Sequence, residues 1–130
     1  MEKKYTVLYI DDNDDNRTLV ERFLGYEGFE VYSANTAQSG LAQAAEIIPD
    51  IFLIDLHLPD MSGYDVVDVL NNRCETQHIP KIIFSANDVQ LTEKKAGFDY
   101  FIQKPLDINT LAEKLEYAIQ HPANNTGRQL

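Results

Sequence analysis

Short apolar runs alternate with segments in which apolar residues recur every three to four positions, and this alternation organises most of the chain. The runs Tyr5 to Ile10, Phe29 to Ser33, Ile51 to Asp55, Lys81 to Ser85 and Tyr100 to Gln103 predict five strands. Residues 51–54 and 82–84 are continuously apolar, as central parallel strands covered on both faces require. A first helix is expected from an N-cap at Asp15 to Gly28, with Leu19, Val20, Phe23 and Leu24 on one face. A second begins at Thr36 and stops before Pro49, turning Leu41, Ala45 and Ile48 inward. A third runs from Gly63 to Asn72 and buries Val66, Val67 and Leu70. The last starts from Asp107 as N-cap and packs Ile108, Leu111, Leu115 and Ile119. Between Ser85 and Gly97, Val89 and Leu91 are the only large apolar residues, and their spacing of two suits a helix poorly. The helix expected there, fourth in chain order, is therefore short or irregular. After Pro122 the apolar periodicity ends, so residues 1–121 read as one domain and residues 122–130 as a flexible tail or linker stub.

Strands alternating with helices give an α/β fold, a parallel sheet with helices on both faces. A length of 130 residues fits one such domain, and a hydrophobic fraction of 44% is enough to fill its core. A net charge of -10 repels nucleic-acid phosphates and anionic membrane surfaces, which argues against a nucleic-acid or membrane partner for this chain. The single cysteine, Cys74, cannot form an internal disulfide, and no apolar run approaches the roughly 18 residues of a membrane span. A reducing cytoplasm is the expected location.

In a doubly wound sheet the functional crevice lies at the carboxyl ends of the strands. Asp11 and Asp12 end the first strand and Asp55 ends the third, so three carboxylates converge on that edge. Such an oxygen-rich cluster suits Mg2+ (or Mn2+), which takes one or two carboxylates and shares its remaining positions with water and phosphate oxygens. Lys104, before Pro105, brings a cation to the same edge from the fifth strand. At the end of the fourth, Ser85 offers a hydroxyl and Ala86 leaves its backbone N–H approachable. Nucleophile, metal, fixed cation and neutral donors are what phosphoryl transfer needs. Taken singly these residues have plainer readings: Asp11 and Asp12 as favourable charges at a helix N-terminus, Lys104 as a solvated strand end, Ser85 as a cap, Phe101 as core. His57, His78 and His121 lack zinc-ligand spacing.

The set Asp11-Asp12, Asp55 to Gly63 (DLHLPDMSG), Ser85-Ala86 and Lys104-Pro105, in that order, resembles the response-regulator receiver family over residues 5 to about 120. The resemblance implies a flavodoxin-like sheet of order 2-1-3-4-5. It implies that Asp55 accepts a phosphoryl group from a histidine kinase, a phosphotransfer protein or a small donor such as acetyl phosphate. It assigns the metal to Asp12, Asp55 and the backbone carbonyl of His57, with Asp11 acting mainly through water. Lys104, Ser85 and the Ala86 N–H would hold the phosphoryl oxygens, the peptide before Pro105 would be cis, and Ser85 and Phe101 would form the switch. His57 and Asn87 would tune dephosphorylation. A downstream protein effector would read the state, with the chain a monomer or a phosphorylation-linked dimer. Such a chain catalyses only its own phosphorylation and dephosphorylation and is not otherwise an enzyme, and its start at Met1 favours a free-standing regulator.

Two departures bear on output. Phe101 stands where the family often has tyrosine, losing a hydroxyl that can report the ring's position. Eleven residues between Ser85 and Gly97 are about three fewer than the family pattern, so the surface that reports the state is expected to be remodelled. Two rivals remain: a receiver-like interaction module that is never phosphorylated, and an aspartyl-phosphate phosphohydrolase. The latter generally needs a carboxylate two residues beyond its nucleophile, where this chain has His57.

Overall fold

The computed structural model describes residues 5–86, 97–123 and 126–130. Its elements in chain order are β1 (Thr6–Ile10), α1 (Asp14–Tyr26), β2 (Glu30–Ala34), α2 (Ala37–Ile47), β3 (Ile51–Asp55), α3 (Gly63–Asn71), β4 (Lys81–Ser85), β5 (Tyr100–Gln103), α4 (Ile108–Gln120) and β6 (Arg128–Gln129). All strand pairs are parallel, in the order β2-β1-β3-β4-β5-β6. The doubly wound sheet and its order over the first five strands follow expectation, and the sixth strand is additional.

Alternation along the buried strands sorts their side chains into two cores. Leu8, Ile10, Phe52, Ile54, Ile83 and Phe101 face α2 and α3, where they meet Ala37, Leu41, Ala44, Val66, Val67 and Leu70. Val7, Tyr9, Ile51, Leu53, Ile82, Phe84, Tyr100 and Ile102 face α1 and α4, against Val20, Leu24, Leu111, Leu115 and Ala118. With both faces covered, the carboxyl ends of β1, β3, β4 and β5 are left as the place where polar groups meet.

Helix α1 starts from Asn13, whose extended backbone and side chain, accepting from the Asn16 N–H, make it the N-cap in place of Asp15. Leu19 is 54% exposed rather than inward, since Val20 and Leu24, four apart, define the buried stripe. In α2, Thr36 is the N-cap, but the inward face is Ala37, Gly40, Leu41 and Ala44, while Ala45 and Ile48 are exposed. Gly40 lies on this inward stripe: a Cβ there would come within 2.4 Å of Ile10 Cδ1 and 2.8 Å of its Cγ1, so a larger residue would force the Ile10 side chain or the helix to shift. Helix α4 is capped by Asp107 and buries Leu111, Leu115 and Ala118, with Ile108 and Ile119 half-buried.

The C-terminal segment, expected to lack regular structure, contributes β6. The Gly127, Arg128 and Leu130 N–H groups donate to the carbonyls of Phe98, Asp99 and Phe101 at 2.9, 3.0 and 2.9 Å. Apolar periodicity cannot reveal such a strand, because its two residues are exposed and only its backbone is used. The short or irregular helix expected over residues 87–96, and Asn87 with it, lie outside the described residues.

Candidate functional site

Asp11 follows β1 directly, and its N–H donates to the Ala34 carbonyl at 3.0 Å, extending the β1 and β2 pairing by one residue. Its carboxylate is buried, whereas that of Asp12 is exposed. Asp55 is the last residue of β3 and is also buried. One oxygen from each of Asp11, Asp12 and Asp55 lies within 4.8 Å of the others, the convergence expected from strand order.

Around Asp55, the His57 N–H donates to Oδ1 at 3.1 Å and Lys104 Nζ donates to Oδ2 at 3.2 Å. Lys104 is positioned twice over. Its N–H donates to the Ser85 carbonyl at 2.7 Å, continuing the pairing of β4 with β5, and its ammonium lies 5.0 Å from the centroid of the Phe84 ring. The Lys104–Pro105 peptide is cis. Burial pushes the Asp55 carboxyl above its ordinary range, the His57 N–H and Lys104 pull it back, and Asp11 adds to the rise. Among the described residues, three carboxylates face one ammonium, and that oxygen-rich donor set fits a small hard cation.

The loop after Asp55 is tied down at both ends. The Gly63 N–H donates to the Leu56 carbonyl at 2.7 Å, His57 and Ser62 form an antiparallel bridge, and Ser62 caps α3. Asp60 accepts from the Ala37 and Gln38 N–H groups, each at 2.9 Å, pinning the loop to the start of α2. These two donors hold the Asp60 carboxyl below its ordinary range.

Ser85 is buried at the end of β4, beside the exposed Ala86. Phe101 is buried in the core shared with α2 and α3, opposite Ile83 in the sheet register. An apolar groove of about 370 Å³ opens beside the acidic cluster, lined by Leu19, Val20, Phe84, Pro105, Leu106 and Ile108 together with Asn16, Ala86 and Lys104. The exposed Leu19 thus belongs to a surface next to Asp55.

Four residues around Asp11 escaped the sequence reading. The Tyr9 hydroxyl donates to Asp11 Oδ2 at 2.6 Å, Asn16 Nδ2 donates to the same oxygen at 3.2 Å, and the Asn13 N–H donates to Oδ1 at 3.0 Å. Arg17 Nη1 donates to the Asp11 carbonyl at 2.8 Å. Burial, with Asp11 and Asp55 nearby, raises the Tyr9 phenol far above its usual range, so it stays protonated and donates. The spacing of two between Tyr9 and Asp11 was the available signal, since residues two apart on a strand share a face.

The family model described as the response regulator receiver domain matches residues 7–116. The chain is 32% identical over 124 residues to the probable transcriptional regulatory protein TcrX of Mycobacterium tuberculosis, covering 93% of this chain and 52% of that protein. It is 30% identical over 123 residues to the KDP operon transcriptional regulatory protein KdpE of Escherichia coli, covering 92% and 53%. The chain therefore spans about half the length of these relatives. Among solved structures, the response regulator receiver domain protein (CheY-like) of Methanospirillum hungatei superposes with a TM-score of 0.81 at 27% identity, covering 92% of this chain and 95% of that one. The chemotaxis response regulator CheY4 of Vibrio cholerae shares the fold at a TM-score of 0.81 and 22% identity, covering 90% and 98%.

Proposed function

The chain belongs to the response-regulator receiver family, and on that premise we propose that it is a phosphorylation switch whose acceptor is Asp55. The observation that carries this reading is the meeting of Asp11, Asp12 and Asp55 within 4.8 Å, with Lys104 at 3.2 Å from the Asp55 carboxylate.

In the proposed reaction an Asp55 carboxylate oxygen attacks phosphorus. An O–P bond forms at Asp55 as the P–N bond of a phosphohistidine, or the P–O bond of acetyl phosphate, breaks. The donor's imidazole or acetate leaves with the bonding electron pair. Mg2+, held by Asp12, Asp55 and the His57 carbonyl, with Asp11 acting through water, would supply positive charge to the phosphoryl oxygens. Lys104 moves from the carboxylate to a phosphoryl oxygen, and the Ser85 hydroxyl and Ala86 N–H take the others. The His57 N–H keeps Asp55 oriented throughout. The exposed His57 side chain borders the site and tunes the lifetime of the product, a role shared with Asn87.

The groove beside Lys104 suits contact from a histidine kinase or phosphotransfer protein, because it joins an apolar lining to the reacting edge. Phe101 is already packed inward, so phosphorylation is proposed to favour this arrangement over an outward one, with Ser85 coupling the two. A downstream protein effector then distinguishes the populations. The lone Cys74 suits a cytoplasmic setting, and among the described residues no helix is long and apolar enough to cross a membrane.

Intact mass after incubation with acetyl phosphate and Mg2+ tests the reading. A gain of one phosphoryl group, absent in Asp55→Asn, is expected. No gain in the wild type would leave a receiver-like interaction module, and sustained phosphate release from varied phosphate esters would indicate a phosphohydrolase.

A further inference from the structure

The floor of the acidic cluster carries an unusual donor. Tyr9 lies in β1, opposite Ser33 on one side and Leu53 on the other, with no exposed surface. Its ring packs against Phe84 with centroids 5.7 Å apart, and Phe84 also lies beneath the Lys104 ammonium. A side chain held this way cannot swing aside, so its hydroxyl is a fixed donor beneath Asp11.

A carboxylate has about four lone-pair sites, two on each oxygen. On Asp11, Oδ2 receives both the Tyr9 hydroxyl and Asn16 Nδ2, and Oδ1 receives the Asn13 N–H. Among the described residues, donors occupy three of the four sites. What remains is a single direction on Oδ1.

We infer that Tyr9 is a positioning residue for the cation site, locking the Asp11 carboxylate so that only Oδ1 is presented to the cation or to a water bound to it. The inference rests on the reading of Asp11, Asp12 and Asp55 as a divalent-cation site. Its content is geometric: the hydroxyl removes Oδ2 from coordination and stops the carboxylate turning. Asp12, exposed beside it, then supplies the adjustable ligand.

Nuclear magnetic resonance titration of the whole chain with Mg2+ tests this, since amide shifts report both affinity and the integrity of each variant. The Mg2+ affinity of Tyr9→Phe, which keeps the ring, is expected to fall about tenfold, the lower end for loss of a hydrogen bond that orients a metal ligand. Asp11→Asn also weakens binding, and the double variant is expected to bind within about twofold of Asp11→Asn, because Tyr9 acts through Asp11. Tyr9→Phe binding within about twofold of wild type overturns the inference. So does a double variant whose loss is the product of the two single losses. Should Tyr9→Phe not fold, Asn16→Ala leaves the Tyr9 hydroxyl holding Oδ2, and a loss of affinity there as large as that of Asp11→Asn overturns the inference. A wild type that binds no Mg2+ overturns the cation-site reading itself, and this inference falls with it.

Discussion

Replacing Gly63 with alanine sets two calculable effects against each other. Gly63 opens α3, and an alanine in a helix is favoured over glycine by roughly 0.5–1 kcal/mol, less at a first position. Opposing this, a Cβ at Gly63 would lie 2.7 Å from the Asp55 carbonyl oxygen, 2.9 Å from Leu56 Cα and 3.2 Å from Ile83 Cδ1. Comfortable separations are about 3.5 Å or more, so the two backbone contacts are short by more than half an ångström. A flexible side chain could turn away, but these are backbone atoms of β3 and of the residue bonded to the Gly63 N–H. Relief requires moving α3 or the end of β3, and overpacking of this kind costs about 1–3 kcal/mol. The clash should win, leaving a net loss of about 1–2 kcal/mol, or a fall in Tm of about 4 °C per kcal/mol at this chain length. Gly25→Ala is the internal reference, because that position lies inside α1 with no neighbouring atom within 4 Å. There the helical preference acts alone, and stability should rise by up to about 0.5 kcal/mol. Urea unfolding followed by circular dichroism measures both. Gly63→Ala as stable as the wild type would refute the reasoning. The same shift moves Asp55 relative to Lys104, so incorporation from acetyl phosphate should also slow in Gly63→Ala.

Three further outcomes follow from particular contacts. Asp60→Ala removes the acceptor for the first N–H groups of α2 and should cost about 1 kcal/mol at neutral pH, screened by its exposure. Because the folded-state carboxyl titrates below its ordinary 3.8, that contribution is present above 3.8 and lost as pH falls through the folded value, so wild-type and Asp60→Ala urea midpoints should converge in acid. Lys81 is fully buried, its ammonium donating to the Thr76, Gln77 and Ile79 carbonyls at 2.8, 3.3 and 2.6 Å, and burial lowers it from 10.5 to about 8. A lowered base penalises folding fully below the folded value, and the penalty is relieved as pH rises from about 8 to 10.5, so the wild type should gain stability over Lys81→Met across that window; a constant difference in urea midpoints would contradict this. Deleting residues 126–130 removes the pairing with β5, including the backbone hydrogen bonds accepted by Phe98, Asp99 and Phe101, worth about 0.5–1.5 kcal/mol each and opposed by the regained chain entropy. The larger effect should be concentration-dependent self-association through the bared β5 edge, seen in sedimentation velocity, and an unchanged monomer would count against the pairing.

The fold was legible because burial on both faces of the sheet leaves a coarse signal. Residues 51–54 and 82–84 have the continuous apolar pattern expected of central strands, and the described sheet places β3 and β4 at its centre. Helix rotation was less legible, since it depends on close packing rather than on the apolar count. In α2 the expected stripe through Ala45 and Ile48 was wrong because Gly40, with no side chain to register as hydrophobic, is the residue that meets Ile10. In α1 the start was displaced because aspartate and asparagine are equally good caps, and only the backbone at Asn13 decides between them. Strand β6 gave no signal, for its pairing uses backbone atoms that every sequence possesses.

At the site the division runs between charged groups and the groups that hold them. Asp11, Asp12, Asp55 and Lys104 were readable as a set, because topology alone carries the ends of β1, β3 and β5 to one edge. Their supporting residues were not, since Tyr9 and Phe84 look like core until their neighbours are known. Yet those two aromatics connect the opposite charges: the Tyr9 hydroxyl bonds to Asp11, Phe84 lies under Lys104, and their rings pack together. A desolvated Asp55 is costly to keep ionised beside Asp11, and a fixed ammonium and fixed donors reduce that cost without filling the space a cation and a phosphoryl group would need. The aromatic floor therefore belongs to the electrostatics of the site as much as to the core. A hydroxyl at position 9 or a ring at position 84 is where variation among such sites should change cation affinity while leaving every carboxylate in place.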